Sequence, residues 1–188
     1  MALATMHDLM LAELRELYSA ETQQLMALPK MAMSAATPSL RKAFVHHLDD
    51  THDQVARLIH VFNLLDQSPS GQKCTGMAGL LVEAFAMIDA TSDDVIRDVG
   101  LIAVARRIEH QEIAAYRTSH VFATLLAYSD VANLLEITLN EEKASDHLLA
   151  VLAKHEVTTS APVFANESAE HPDFWSAPRR RSAVLSGR

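Results

Sequence analysis

The sequence predicts an all-α protein whose core is a bundle of four long helices, and three observations support this. Apolar residues recur every three or four positions over several long segments, which is the spacing of one helix face. Leu, Ala and Met supply most of the apolar content while aromatic residues make up 5%, a balance that favours helix over strand. No segment alternates convincingly between apolar and polar residues, so no strand is predicted.

The first two long helices are predicted over residues 6–36 and from the Thr37-Pro38 break to about residue 66. Either Thr37 or Ser39 can cap the second of them. The first is marked by Leu11, Leu14, Tyr18, Leu25, Leu28 and Ala32, and the second by Phe44, Leu48, Val55, Leu58, Ile59 and Phe62.

A shorter helix is predicted from Met77. It is followed by a long helix over residues 93–128, capped by Thr91-Ser92, and by another over residues 130–155 that begins at Ser129-Asp130. Two short links make antiparallel neighbours of the first and second long helices and of the third and fourth. The link between the second and third is long enough to run back along the bundle, so these two helices can lie parallel. An arrangement with one such crossover is that of a ferritin-like bundle.

The chain is expected to hold one domain, residues 1–156, and a tail, residues 157–188, that is flexible or docked on the bundle. The tail lacks helical periodicity, and its Phe174 and Trp175 can pin it to the bundle or to a second subunit.

Composition excludes several classes of function. The formal net charge of −8 argues against nucleic-acid binding. Nucleotide-binding glycine motifs and the nucleophile-elbow motif of hydrolases are absent from the sequence. The single cysteine, Cys74, cannot form an internal disulfide and suits a reducing compartment. We find no signal peptide or membrane-spanning pattern, so we expect a cytoplasmic protein that does not bind membranes.

Acidic residues in all four long helices fall at similar distances from the two short links. Glu21 precedes the Thr37-Pro38 turn by 16 residues, and Asp49, Asp50 and His52 follow it at a comparable distance. At 1.5 Å per residue, these positions meet at one height in an antiparallel pair.

The second helix pair repeats this pattern. Glu112 precedes Ser129 by 17 residues, and Glu142 and Asp146 follow it by 13 and 17. Glu109 lies one turn before Glu112 on the same apolar face. We therefore predict that carboxylates from four helices meet in the middle of the bundle.

Buried carboxylates need compensation, and divalent metal ions would supply it. Di-metal carboxylate bundles use one Glu from each of two helices and a Glu-x-x-His motif from each of the other two. Two iron or manganese ions are the expected cofactors, because oxygen-rich sites suit these metals. The second helix offers Asp49-x-x-His52, with Asp50 as an alternative, and in the fourth Ser145 stands where His is expected, so Asp146 would substitute. The predicted ligands are Glu21, Asp49, Asp50, His52, Glu109, Glu112, Glu142 and Asp146.

Several stretches resemble the YciF/YciE-type family of bacterial ferritin-like proteins. They include ELYSAETQQLMALPKMA, HLDDTHDQVARL, QKCTGMAGLL, DVGLIAVARRIEHQEIAAY and LNEEKASDHLL, and the likeness covers residues 5–155. The resemblance implies a helical, dimeric protein associated with stress response that carries a di-metal site. Asp49 and Asp50 depart from the usual Glu-Glu pair of the family, and each side chain is one methylene shorter.

Two functions are compatible with these residues. In the first, the metals act on peroxide or oxygen in a catalase-like or peroxidase-like reaction, and Glu109 shuttles protons. In the second, the protein is a non-catalytic helical structural or interaction protein with a degenerate metal site, whose acids pair with Arg106, Arg107 or water. An iron-storage cage and a DNA-protecting protein are less favoured. Four histidines, His46, His47, His110 and His120, are expected at the surface or beside the ligands, and Tyr18 and Tyr116 in the core.

Overall fold

A computed structural model describes residues 3–167, with side chains for residues 3–155. This part of the chain contains five helices and no strand, which confirms the predicted all-α class. They are α1 (Met6–Ser34), α2 (Pro38–Leu64), α3 (Thr75–Ala90), α4 (Asp94–Leu125) and α5 (Ser129–Glu167).

Side-chain caps fix several of the helix starts. The Thr5 hydroxyl accepts a hydrogen bond from the Asp8 amide at 3.0 Å, and the Asp8 carboxylate accepts one from the Thr5 amide at 2.9 Å, so α1 begins with a capping box. Asp93, and not Thr91-Ser92, caps α4 by accepting from the Ile96 amide at 2.9 Å.

The helices pack in the arrangement that the link lengths predict. Glu21 of α1 contacts Tyr116 of α4, and the turn that follows α1 contacts Asp98, near the start of α4. Residue numbers therefore rise along α1 as they fall along α4. Helix α4 is therefore antiparallel to α1, as α2 is, and the two lie parallel to each other. Helix α3 packs against α1 and α4 and forms the crossover.

The predicted end of the fourth long helix is wrong, because α5 continues past residue 155 to Glu167. The apolar periodicity is lost there, but residues 156–167 contain no glycine that would terminate the helix. The domain boundary at residue 156 stays a prediction. Residues 168–188, with Phe174 and Trp175, lie outside the described residues.

A layer of buried polar side chains divides the core into two apolar clusters. One cluster includes Met31, Phe44 and Leu101, and the other includes Leu14 and Phe62. Between them lie Glu21, Gln24, His47, Thr51, Gln54, Glu109, Glu112 and Glu142, all buried. Among the described helices, none has a segment long and apolar enough to cross a membrane.

Candidate metal centre

Four buried side chains at mid-bundle converge closely enough to hold a metal ion. His47, Glu109, Glu112 and Glu142 each offer one ligand atom, and these atoms all lie within 4.8 Å of one another. The three carboxylates are at most 2% exposed and His47 is 5% exposed. The cluster therefore joins α2, α4 and α5.

Helical spacing explains how α2 and α4 present these residues. Glu109 and Glu112 are three positions apart on α4, so both face the same way. On α2 the buried stripe runs through Phe44, His47, Thr51, Gln54 and Leu58. These steps of three and four residues place His47 in the core.

Helix α1 contributes a fourth buried carboxylate, Glu21, next to this cluster. The Tyr116 hydroxyl donates a hydrogen bond to Glu21 Oε1 at 2.6 Å, and both side chains are fully buried. Burial, reinforced by the charge of Glu142, raises the pKa of Glu21 well above its ordinary value. Glu21 is thus close enough to Glu142 for their charges to interact.

Two buried glutamines hold two of the carboxylates. Gln24 Nε2 donates to Glu112 Oε1, and its Oε1 lies 3.3 Å from His47 Nε2. Gln54 Nε2 donates to Glu142 Oε1 at 2.5 Å. Each amide leaves the second oxygen of its carboxylate without a hydrogen-bond partner.

Ser145 links Glu109 to His47. Its hydroxyl donates to Glu109 Oε1 at 2.9 Å and lies 3.4 Å from His47 Nδ1. His47 Nε2 lies 3.6 Å from the same glutamate oxygen. A proton on Glu109 Oε1 is therefore close to both an imidazole and a hydroxyl.

All four carboxyl groups have raised pKa values, and burial is the main cause in each. Burial raises the pKa of Glu109 to about 7, although the neighbouring Glu142 and the hydrogen bond from Ser145 act in the opposite direction. Burial and the neighbouring carboxylates raise the pKa of Glu112 and of Glu142 well above the ordinary value. The cluster therefore favours either bound protons or bound cations.

The unpaired oxygens show that this donor set fits a metal. Glu21, Glu109, Glu112 and Glu142 each bury an Oε2 atom that has no hydrogen-bond partner. Buried polar atoms without partners are uncommon because they lose their hydration without replacement. Three or four carboxylates with one imidazole form a ligand set that suits iron or manganese.

The structure places the three predicted ligands of the second helix away from the cluster. Asp49 and His52 are exposed, and the His52 ring bonds the Leu48 carbonyl at 2.8 Å. Asp50 is partly exposed and pairs with His46 at 2.8 Å. These positions fall between the stripe positions of α2, so its rotation turns them away from the cluster.

Asp146 also lies outside the cluster. It pairs with Arg106 at 2.8 Å and with His110 at 3.3 Å, and its side chain is partly exposed. Arg106 is thereby engaged away from Glu109, and Arg107 pairs with Glu83. Of the partners that the non-catalytic alternative offered for the buried acids, Arg106 and Arg107 are therefore engaged elsewhere.

Four contributors to the site were not predicted as ligands or as hydrogen-bond partners of the acids: His47, Gln24, Gln54 and Ser145. Of these, His47 was expected at the surface or beside the ligands. A signal for two of them was present, because steps of three and four residues from Phe44 lead to His47, Thr51, Gln54 and Leu58. The acids of this segment occupy the positions between them, so a ligand pattern based on acids points away from the buried stripe. Gln24 carries no such signal, because an amide in a stripe is equally compatible with a helix surface.

The fold and the buried cluster together define a ferritin-like four-helix bundle with a candidate metal centre. The chain belongs to the family described as a domain of unknown function, DUF892, whose model matches residues 5–162. It is 39% identical to Protein YciF of Escherichia coli K12 over 166 residues, 86% of this chain and 98% of that protein.

Solved structures agree with this assignment. The crystal structure of the E. coli stress protein YciF matches with a TM-score of 0.81 and 39% identity, over 83% of this chain and 99% of that one. YcfI of Rhodopseudomonas palustris, provisionally described as a structural protein, matches with a TM-score of 0.76 and 39% identity, over 78% and 94%. A Xanthomonas campestris protein at 19% identity has a TM-score of 0.66 over 87% and 99%, which supports the fold alone.

Proposed function

We propose that this protein binds two divalent iron or manganese ions at mid-bundle and uses them on peroxide or oxygen during stress. The observation that carries the proposal is the set of four buried carboxylates, each with one unpaired oxygen. Redox-active ions held there would supply the electrons for peroxide breakdown or oxygen reduction.

The charge of the site favours two ions. Glu21, Glu109, Glu112 and Glu142 carry four negative charges when ionised, and two divalent cations neutralise them. Among the described ion pairs, His47 is the one basic partner of these acids. Without cations, four ionised carboxylates in an apolar interior would be strongly unfavourable.

In this proposal the acidic residues and His47 divide between two ions. His47, Glu109, Glu112 and Glu142 would hold one ion, because their ligand atoms already converge. Glu21 would hold the second and share it with Glu142. Among the other acids, Glu142 is the one whose charge raises the pKa of Glu21 most.

Side chains of the protein can also bind and release protons at this site. In the metal-free site Glu109 has a pKa of about 7, so there it is ionised and protonated to similar extents near neutral pH. Its Oε1 accepts from Ser145, whose side chain is partly exposed, so a proton released at this atom is close to the protein surface. We therefore assign Glu109 the role of proton carrier.

Metal content and peroxide consumption test the proposal. The matched variants are Glu21→Gln/Glu142→Gln, which removes two buried charges, and Glu136→Gln, which changes an exposed residue of the same helix as Glu142. We expect about two equivalents of iron or manganese and peroxide loss in the wild type and in the Glu136 variant, and loss of both in the double variant. Equal peroxide loss from all three proteins would contradict the enzymatic part.

A second candidate is a non-catalytic helical structural protein. Ser145 in place of the expected histidine favours it, as does the structural description of the R. palustris relative. In that case the buried carboxyl groups would be protonated, with donors such as Gln24 and Tyr116 on their remaining oxygens. Absence of bound metal after growth in iron- and manganese-rich medium would select this candidate.

The proposal also includes a cytoplasmic homodimer. Sedimentation of the purified protein tests the dimer, and fractionation of cells tests the compartment.

A further inference from the structure

A groove of about 730 Å³ runs along α1, separate from the buried acids. Its walls are α1, α3 and the loop of residues 65–74 that connects α2 to α3. Its floor includes the buried Ala27 and Leu81, and its sides include Tyr18, Met26 and Phe85. This volume is within the range of small-molecule sites.

The loop wall is fixed to α1 by hydrogen bonds. Arg15 Nε donates to the Ser68 carbonyl at 3.2 Å, and the Cys74 amide donates to Ser19 Oγ at 2.9 Å. Gln23 Nε2 donates to the Cys74 carbonyl at 3.1 Å. Gly71 packs so tightly that an added Cβ would lie 2.8 Å from the Arg15 Cβ. The groove is therefore preformed.

The charged residues that line the groove are all basic. Arg15 and Lys73 are its charged lining residues, and none of its lining residues is acidic, although the whole chain carries a net charge of −8. Lys73 is exposed and has no ion pair among the described residues. At the other end, Lys30 Nζ lies 4.4 Å from the centre of the Phe85 ring.

The mouth of the groove is the end that contains Arg15 and Lys73, whose neighbour Cys74 bonds Ser19 one turn after Arg15. The apolar part of the groove extends from there along α1. Its α1 residues run from Arg15 to Ala27, about 18 Å at 1.5 Å per residue. Met26 and Val82 on its sides are 81% and 67% exposed, so apolar surface there has no cover from the described residues.

We propose that this groove binds a single-chain aliphatic carboxylate, with the carboxylate at Lys73 and the chain along Tyr18, Met26 and Phe85. An anionic head complements the cationic mouth, and an alkyl chain would cover the exposed apolar sides.

Dodecanoate, kept below its micelle concentration, is the probe for this site, and methionine methyl resonances report on it. Met26 lines the groove, whereas Met33, two turns later on α1, does not, and the two are almost equally exposed, 81% and 80%. We expect dodecanoate to shift the Met26 methyl signal saturably and to leave Met33 unchanged. Equal shifts of both signals would indicate nonspecific adsorption and overturn the proposal.

Three variants and two further ligands complete the test. Lys73→Gln should weaken dodecanoate binding about fivefold, as expected for a solvent-exposed ion pair, and leave dodecanol binding unchanged. Lys42→Gln, an exposed lysine outside the groove, is the control. Ala78→Phe should fill the groove and abolish binding, with helix content measured to verify folding.

Two results would overturn the proposal. One is equal affinity for dodecyltrimethylammonium, which has the opposite head-group charge. The other concerns a dimer. If the Met26 methyl is shielded from solvent before any ligand is added, and Ala78→Phe dissociates the dimer, a second copy of the chain covers the groove.

Discussion

The substitution Glu109→Gln tests whether the buried cluster favours protons over negative charge when metal is removed. Glutamine keeps the Oε1 acceptor for the Ser145 hydroxyl, which lies 2.9 Å away, and removes the ionisable group. The raised pKa of Glu109 comes first from burial, so the variant isolates the free energy of ionising one buried carboxyl group.

The magnitude follows from the pKa. A carboxyl group whose pKa rises from 4.5 in the unfolded chain to about 7 in the fold stabilises the fold most when it is protonated. Its contribution is complete below about pH 4.5, decreases as the pH rises, and is lost above about pH 7. At about 1.4 kcal/mol per pH unit, the loss is about 3 kcal/mol.

Denaturant unfolding of the chelator-treated protein between pH 4.5 and 8 measures this. We expect the wild-type free energy of unfolding to fall faster with pH than that of Glu109→Gln, by about 3 kcal/mol over the range. Excess Mn²⁺ should oppose the wild-type fall, because metal binds the ionised carboxylates. Parallel pH curves for the two metal-free proteins would refute the reasoning.

Four other changes have distinct outcomes. Tyr116→Phe should lower the stability of the metal-free protein by about 1–3 kcal/mol in denaturant unfolding, because Glu21 Oε1 loses its buried donor. Gln24→Leu should weaken metal binding about tenfold in titration, because Glu112 loses its positioning amide; unchanged affinity would contradict this role. Asp98→Ala should cost about 2 kcal/mol and lower the melting temperature, because two backbone amides of the α1–α2 turn lose their acceptor at 2.8 Å. His52→Ala should leave the number of bound metal ions unchanged, and a decrease would restore the original assignment of this residue.

Much of the fold follows from local signals in the sequence. The spacing of apolar residues predicts the long helices, and Thr37-Pro38 and Ser129-Asp130 mark short links that the structure contains. The one long link between α2 and α4 predicts their parallel directions. These features depend mainly on residues near one another in the chain, so sequence reasoning reaches them.

The site was predicted in part. Glu109, Glu112 and Glu142 interrupt apolar stripes, and the structure brings them together with Glu21 nearby. Their role as ligands stays a prediction. On α2 the acids of HLDDTHDQ led to the prediction of Asp49, Asp50 and His52 as ligands. His47, which lies on the buried stripe, was therefore not predicted as a ligand.

The sequence by itself determined the number, order and directions of the helices and the presence of carboxylates at mid-bundle, because periodicity and link length are local properties. Only the tertiary structure decided which face of α2 turns inward and which partners each acid receives. Tyr116 reaches Glu21, Gln24 reaches Glu112 and Gln54 reaches Glu142 across 88 or more residues of sequence. Such pairings depend on the rotation and height of one helix against another, which packing of the whole core sets.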